Sequence, residues 1–273
     1  MAIITISREL AALGDETARE LTKQLGYRFV DKEALEEQIR SFGINGQKLK
    51  IFDERKPSLL AAFSHDKDKY LHYLKTAIFI EAEQGNCVFI GRGAGMVFAN
   101  MPGHISLFLT APLHTRIERV KNYFHCDEHK AKQIIERSDQ DRAGFHKYYF
   151  GIDWREPENY HLSINTGIFN PSAVAEIIKS LKDRIFTEEA EAMNNICLKE
   201  YSIEQRIRHK VLYERCIPIR FFDMNVSNDV VTMYGIANSQ VLIDTALEAA
   251  REAAHDARIV SEIQIVRDYI VMP

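Results

Sequence analysis

The chain has 273 residues, a formal net charge of −4 and 46% hydrophobic residues. That length suits one large domain and one small one, with enough apolar residues for a sizeable core. A charge so near balance argues against a surface built for nucleic acid or anionic membrane, and no apolar run is long enough to span a bilayer. The opening MAIITISREL lacks the basic region and extended apolar core of a secretory signal. Cys87, Cys126, Cys197 and Cys216 are scattered with no Cys-x-x-Cys pair, as expected of reduced thiols in a cytoplasmic protein. His125 and His129 share a helix face, expected to be a solvated one.

Ile3, Ile4 and Ile6 predict a short buried strand. A compact turn follows. Ala18, Leu21 and Leu25 then mark a helix that Gly26 ends. YRFV reads as a second strand, and Asp31 caps a helix over DKEALEEQIRSFG. The stretch INGQKLKIFDERKPSLLAAF reads as a helix interrupted at Asp53-Glu54-Arg55, and DKYLHYLKTAIFIEAEQG as a long helix. CVFI and HISLFLTAP are continuous apolar runs of the kind that fill central parallel strands. LHTRIERVKNYF is a helix, and the charged DEHKAKQIIERSDQDRAGFHKYYFG another. YHLSINTG is a last strand before the helix PSAVAEIIKSLKDRIF.

Strands alternating with helices predict an α/β fold, a parallel sheet with helices on both faces. Ligands of such sheets bind at the carboxyl ends of the strands. The turn over residues 7–17, Asp31 and Gly91-Arg92-Gly93 all fall just after a strand. The pattern changes near residue 186. Residues 186–200 are expected to link to a compact α-β-β-α-β unit over 201–273, with Ser227-Asn228-Asp229 turning its hairpin.

The order of ITISREL, LGYRFVDKE, DERKPS, FIGRGAG, FLTAPLHTRIERV, SDQDRAGFHKYYFG and ENYHLSINT resembles the cytidylate kinase-like family. That is a P-loop group of nucleoside-monophosphate-kinase-like proteins, and the resemblance covers residues 1–185. VVTMYGIA, with the helix and strand after it, resembles a BON domain over 201–273. The first resemblance implies a P-loop three-layer α/β/α fold. It also implies phosphoryl transfer from ATP, with Mg2+, to CMP, dCMP or a relative. Nucleoside mono- and triphosphates would be the partners of that domain. A protein or small ligand would be the partner of the C-terminal unit, and homo-oligomerisation is left open.

The family's phosphate cradle reads Gly-Ser-Gly-Gly where this chain has Ala11-Ala12-Leu13-Gly14, after Ser7 and Arg8. Alanine there is expected to need a negative φ. Asp15 stands where relatives carry a base, and a carboxylate beside a triphosphate repels it. Asp15 and Glu16 also suit the positive end of the helix dipole. The resemblance makes Thr17 the metal ligand and Arg8 the compensating cation. Gly91-Arg92-Gly93 matches a turn whose arginine grips the monophosphate, a task for a bidentate fork. Asp139 and Arg142 match a D-x-x-R pair that contacts sugar and phosphate; Ile135 replaces a preceding arginine, which Arg137 would substitute.

Asp31 is either a helix cap or a ligand, with Glu37 where the family has an arginine. Arg116 and Arg119 either close over phosphates or pair with Glu118 on an exposed face. Tyr148, Tyr149, Trp154 and Tyr160 either stack a base or pack the core. Two function classes remain open. One is a kinase in which Arg8, Arg92 and Arg142 bracket the phosphates. The other is a catalytically impaired nucleotide-binding regulator with a C-terminal sensing or docking module.

Overall fold

The computed structural model describes residues 1–42, 66–254 and 256–266. The expected interrupted helix around Asp53-Glu54-Arg55 lies outside them. The chain divides at Asn195/Ile196 into two compact units.

The first unit is built on five parallel strands. β1 (Ile3–Arg8), β2 (Arg28–Val30), β3 (Cys87–Ile90), β4 (His104–Thr110) and β5 (Leu162–Asn165) lie in the order β2-β3-β1-β4-β5. The centre of the sheet falls to the most apolar runs, because β1, β3 and β4 must be covered on both faces. Every residue of β3 is buried, and so are the first five of β1.

On one face, α1 (Gly14–Leu25) and α7 (Pro171–Ile185) bring Ala18, Leu21, Val174 and Ile178 onto Ile4, Ile6, Val88 and Leu107. The other layer holds α2 (Lys32–Ser41), α3 (Asp66–Glu83) and the short α4 (Ala94–Val97), where Phe98 packs between Phe79 and Phe89. α5 (Leu113–Phe124) and α6 (Glu128–Phe150) pair beyond the end of β4 through Ile117, Val120, Ala131 and Ile135. Each fully buried aliphatic side chain contributes roughly 1.5–3 kcal/mol by leaving water, so the strand interiors are committed to packing. The turns at their carboxyl ends are left for chemistry.

Residues expected as a linker are largely helical, since α8 runs from Glu188 to Arg208 and the unit boundary falls within it. A π-helical turn, His209–Glu214, follows. His209 is half-buried, and burial lowers its pKa. β6 (Arg220–Ser227), β7 (Val230–Ala237), α9 (Gln240–Ala254) and β8 (Arg258–Ile265) complete the second unit. β6 and β7 form the expected hairpin, with Asn228 and Asp229 both left-handed at φ 53 and 59. β8 joins β7 in parallel. Met224, Val231, Met233, Ala246, Ala250 and Ile263 share its core.

Candidate active site

β1 hands the chain to α1 through Glu9–Leu13, with no glycine before Gly14. The backbone nevertheless enters the left-handed region twice, at Ala11 (φ 61) and Leu13 (φ 55). The expectation of a negative φ is corrected for Ala11. For a residue with a Cβ this conformation costs about 1–2 kcal/mol, so something must hold it. Arg119 donates to the Ala11 carbonyl at 2.9 Å and to the Thr166 carbonyl at 2.7 Å. The Thr166 hydroxyl donates to the carbonyls of Ala12 and Thr110, each at 3.1 Å. The Leu10 N–H donates to Asp139 at 3.1 Å. Side chains from α5, α6 and the end of β5 thus impose the turn that glycine would permit. Gly14 itself is retained for space: a Cβ there would lie 2.5 Å from Cγ of Arg8.

The first intrahelical bond of α1 runs from Thr17 N–H to the Leu13 carbonyl at 3.0 Å. The N–H groups of Gly14, Asp15 and Glu16 precede it, and Leu13 supplies no side-chain cap. A helix start of this kind favours an anion. It opens into a cavity of about 430 Å³ whose walls include Arg8, Leu13, Gly14, Asp15, Glu16, Arg119 and Arg142. Arg8 approaches Asp15 at only 4.0 Å, and Asp15 is exposed. Ser7 and Ala12 are buried and do not line this cavity.

Thr17 differs from expectation. It is fully buried, and its hydroxyl donates back to the Leu13 carbonyl at 2.6 Å. It does not present an oxygen to a cation. The carboxylates on the cavity wall are Asp15, Glu16 and Glu9. Magnesium is commonly held by one or two carboxylates plus substrate phosphates, so Asp15 and Glu16 fit that part in place of Thr17.

A buried ionic network adjoins the loop. Arg116 is 3% exposed and bridges Glu9 at 2.9 Å and Asp139 at 2.5 Å. Arg155 reaches Asp139 at 3.0 Å and Glu9 at 3.4 Å. Thr110 donates its hydroxyl to Glu9 at 2.6 Å. Burial pushes the Glu9 carboxyl up, but the Thr110 bond and the Arg116 charge outweigh it and hold the group below its usual range. Asp139 goes the other way. Burial raises it, the Leu10 N–H and Arg116 oppose without cancelling, and the Glu9 charge adds to the rise. Environments that push neighbouring carboxylates apart are typical of functional sites.

These residues line a second cavity of about 520 Å³, with Leu113, Glu136, Gln140 and Ala143. Glu9 belongs to both cavities. Glu9 and Arg155 were not singled out from the sequence. Glu9 was legible as the last letter of Ser-Arg-Glu at a strand end; Arg155, in an irregular segment after α6, had no local signal.

Other expected residues fall differently. Arg116 and Arg119 neither lie on an exposed face nor pair with Glu118, which Lys121 meets at 2.9 Å. They are structural anchors of the network and of the loop. Arg142 lines the loop cavity and donates to the Ser138 hydroxyl at 2.5 Å, with Asp139 at 3.9 Å. Arg137 is exposed, so Arg116 and Arg155 supply the charge that it was expected to provide. Asp31 is a helix cap, accepting from Ala34 N–H at 3.0 Å.

Arg92 sits in a turn at the end of β3, next to β1, with Gly91, Arg92 and Gly93 at φ 75, 55 and 67. A Cβ on Gly93 would lie 2.2 Å from the Phe150 ring. Arg92 is 2% exposed, donates to Glu36 at 2.7 Å and to Tyr70 at 3.4 Å, and lines neither cavity. Lys32 and Arg40 also approach Glu36, at 3.7 and 3.1 Å. Trp154, Tyr149 and Tyr160 are core residues, with Tyr160 donating to the Trp154 carbonyl at 2.7 Å. Burial leaves them no face for a base.

Residues 3–168 match one protein family, described as the cytidylate kinase-like family. The chain belongs to the cytidylate kinase-like family. The match contains both cavities' lining residues and stops before β6. Among relatives, a cytidylate kinase of Staphylothermus marinus is 27% identical over 190 residues, 69% of this chain and 100% of that protein. Cytidylate kinases of Sulfolobus acidocaldarius and Pyrococcus horikoshii are each 35% identical, over 102 and 105 residues. The chain spans 55% and 53%, about half, of the length of those two. A crystal structure of an uncharacterized protein from Eubacterium ventriosum matches with a TM-score of 0.53 and 20% identity, over 67% of this chain and 99% of that one. That likeness speaks for the fold alone.

Proposed function

We propose that residues 1–185 transfer a phosphoryl group from ATP, bound at the turn before α1, to a nucleoside monophosphate such as CMP or dCMP in the adjoining cavity. The observation that carries this reading is the pair of neighbouring cavities that share Glu9. One is floored by the open N-terminus of α1, the other by the buried Glu9–Asp139–Arg116 network. Family membership supports it. The chemistry asked of the protein is positioning and charge stabilisation. The N–H groups of Gly14, Asp15 and Glu16, with Arg8 and Arg142, hold the triphosphate. Asp139 and Arg155 face the acceptor. Magnesium brought with the triphosphate would be met by Asp15 and Glu16 and would neutralise charge on the phosphates. Arg92 takes part only once Glu36 releases it. The C-terminal unit, 201–273, serves in this reading as a BON-like module that binds a protein or small ligand in a cytoplasmic protein.

A specific observation favours a second reading, a nucleotide-binding regulator without turnover. The turn carries two strained residues and two carboxylates at its mouth, and Arg92 is sealed by Glu36. Incubating the protein with ATP, magnesium and CMP, dCMP or UMP, with chromatography of the nucleotides, separates the two. Formation of a nucleoside diphosphate from the acceptor is expected. Calorimetric binding of ATP with no diphosphate from any acceptor would put the regulator first.

A further inference from the structure

α5 buries one stripe, Arg116, Ile117 and Val120. Tyr123 and Phe124 continue that stripe by three and four residues, the spacing of one helix face. The face keeps its apolar character, but its cover ends. Tyr123 is 78% exposed and Phe124 50%. Val120 still belongs to the cluster that Leu10 and Ala11 pack against. One turn further on, the two rings line the cavity that holds Gly14, Asp15 and Glu16. They meet edge to face, with centroids 4.8 Å apart at 74°, so they form an angled apolar wall. His125 then ends the helix in a left-handed conformation at φ 50, which fixes the wall at the last turn.

A single cavity is therefore lined both by an open helix start, of the kind that favours an anion, and by two aromatic rings. We propose that Tyr123 and Phe124 hold the base of the bound nucleoside triphosphate by its face, so that the site accepts purine triphosphates with little regard to the base edge. The inference rests on the phosphate-loop reading above. Stacking engages the π-face that every base has and is tolerant of base identity. Edge readout needs hydrogen-bonding groups aimed at the ring, and two of the arginines that line this cavity are otherwise engaged. Arg119 is tied to Ala11 and Thr166, and Arg19 lies over the Phe29 ring at 5.2 Å. The Tyr123 hydroxyl remains as a polar group at the exposed rim. Gly14 and Arg8 line the same cavity as the two rings, so base and phosphates of one nucleotide share it in this reading.

Calorimetry with ATP, GTP and inorganic tripolyphosphate, all with magnesium, tests this on the full chain and on the Tyr123→Ala/Phe124→Ala double variant. Both rings are exposed, and thermal melting checks that the variant is folded. The wild type should bind ATP and GTP within about threefold of each other, and each at least about tenfold tighter than tripolyphosphate. The variant should bind both nucleotides no better than tripolyphosphate, with tripolyphosphate itself unchanged. ATP binding that survives the double substitution overturns the wall while leaving the phosphate site intact. A preference for ATP over GTP of a hundredfold overturns the base tolerance. Failure of the wild type to bind either ATP or tripolyphosphate removes the phosphate-loop reading, and this inference with it.

Discussion

The turn after β1 holds Ala11 and Leu13 left-handed at φ 61 and 55, whereas the turn after β3 reaches φ 75, 55 and 67 through Gly91, Arg92 and Gly93. Both sit at carboxyl ends of adjacent strands, and both expose or bury an arginine of phosphate-binding type. The first turn lacks the glycines for its shape and is held from outside by Arg119, Thr166 and Asp139. The second has its glycines, yet its arginine is buried against Glu36. Conformation and charge are therefore separable. A turn can leave its helix start open without permissive residues, and another can have those residues while its cation is already neutralised. In the function proposed above, anion binding falls to the first.

The largest effect should come from Glu36→Ala. It strips the carboxylate from a guanidinium 2% exposed, at a cost of about 3 kcal/mol, as for other broken buried pairs. Urea denaturation would report it, and a loss under about 1 kcal/mol would mean that other contacts of Arg92 suffice. Arg119→Ala should follow, at about 2 kcal/mol, because it leaves the Ala11 and Thr166 carbonyls without their donor. Arg119→Lys should not restore the loss, since one ammonium cannot span both carbonyls as a planar fork does.

Ala11→Gly should stabilise the protein by about 1 kcal/mol at most, the left-handed cost being partly offset by glycine's freedom in the unfolded chain. In an Arg119→Ala background that gain should shrink, because the loop is then no longer forced into the shape; a double-mutant cycle by urea denaturation measures the coupling. The smallest effect should be that of Asp15→Lys. Asp15 is 63% exposed, so in the absence of magnesium exchanging its charge should tighten ATP by about threefold at low salt and less as salt rises. Calorimetry at two ionic strengths checks this. No change at low salt would place the first helical turn away from the phosphates.

Most of the architecture was legible in the chain itself. Apolar runs such as CVFI and HISLFLT suit central strands, and Asp31, Gly26 and the Asn228-Asp229 turn act within a few residues of their own positions. Local chemistry fixes local geometry, so these readings needed no neighbours. The helix over 188–208 was less clear, because its residues give no strong periodic stripe. The aromatic cluster around Trp154 was ambiguous from sequence, since burial and stacking ask for the same side chains.

The site was legible as a place but not as a circuit. Sequence order put the 7–17 turn, Arg92 and Asp139 at strand ends or on the helix beside them. It could not show that Arg116 joins Glu9 to Asp139, 130 residues apart in the chain, or that Arg155 closes the same network. It could not show that Thr17 turns its hydroxyl into the helix, or that Glu36 meets Arg92. Each of these depends on which charge lies within a few ångströms after folding, and a buried charge takes whichever partner the packing brings to it. The sequence by itself determined the strands, caps, turns and the order of the sheet's apolar runs, because short-range sterics and periodic burial decide those. Only the tertiary structure decided the left-handed backbone at Ala11 and Leu13, the pairing of the buried Arg92 and Arg116 and the two cavities that meet at Glu9. Those arise where distant segments constrain one another.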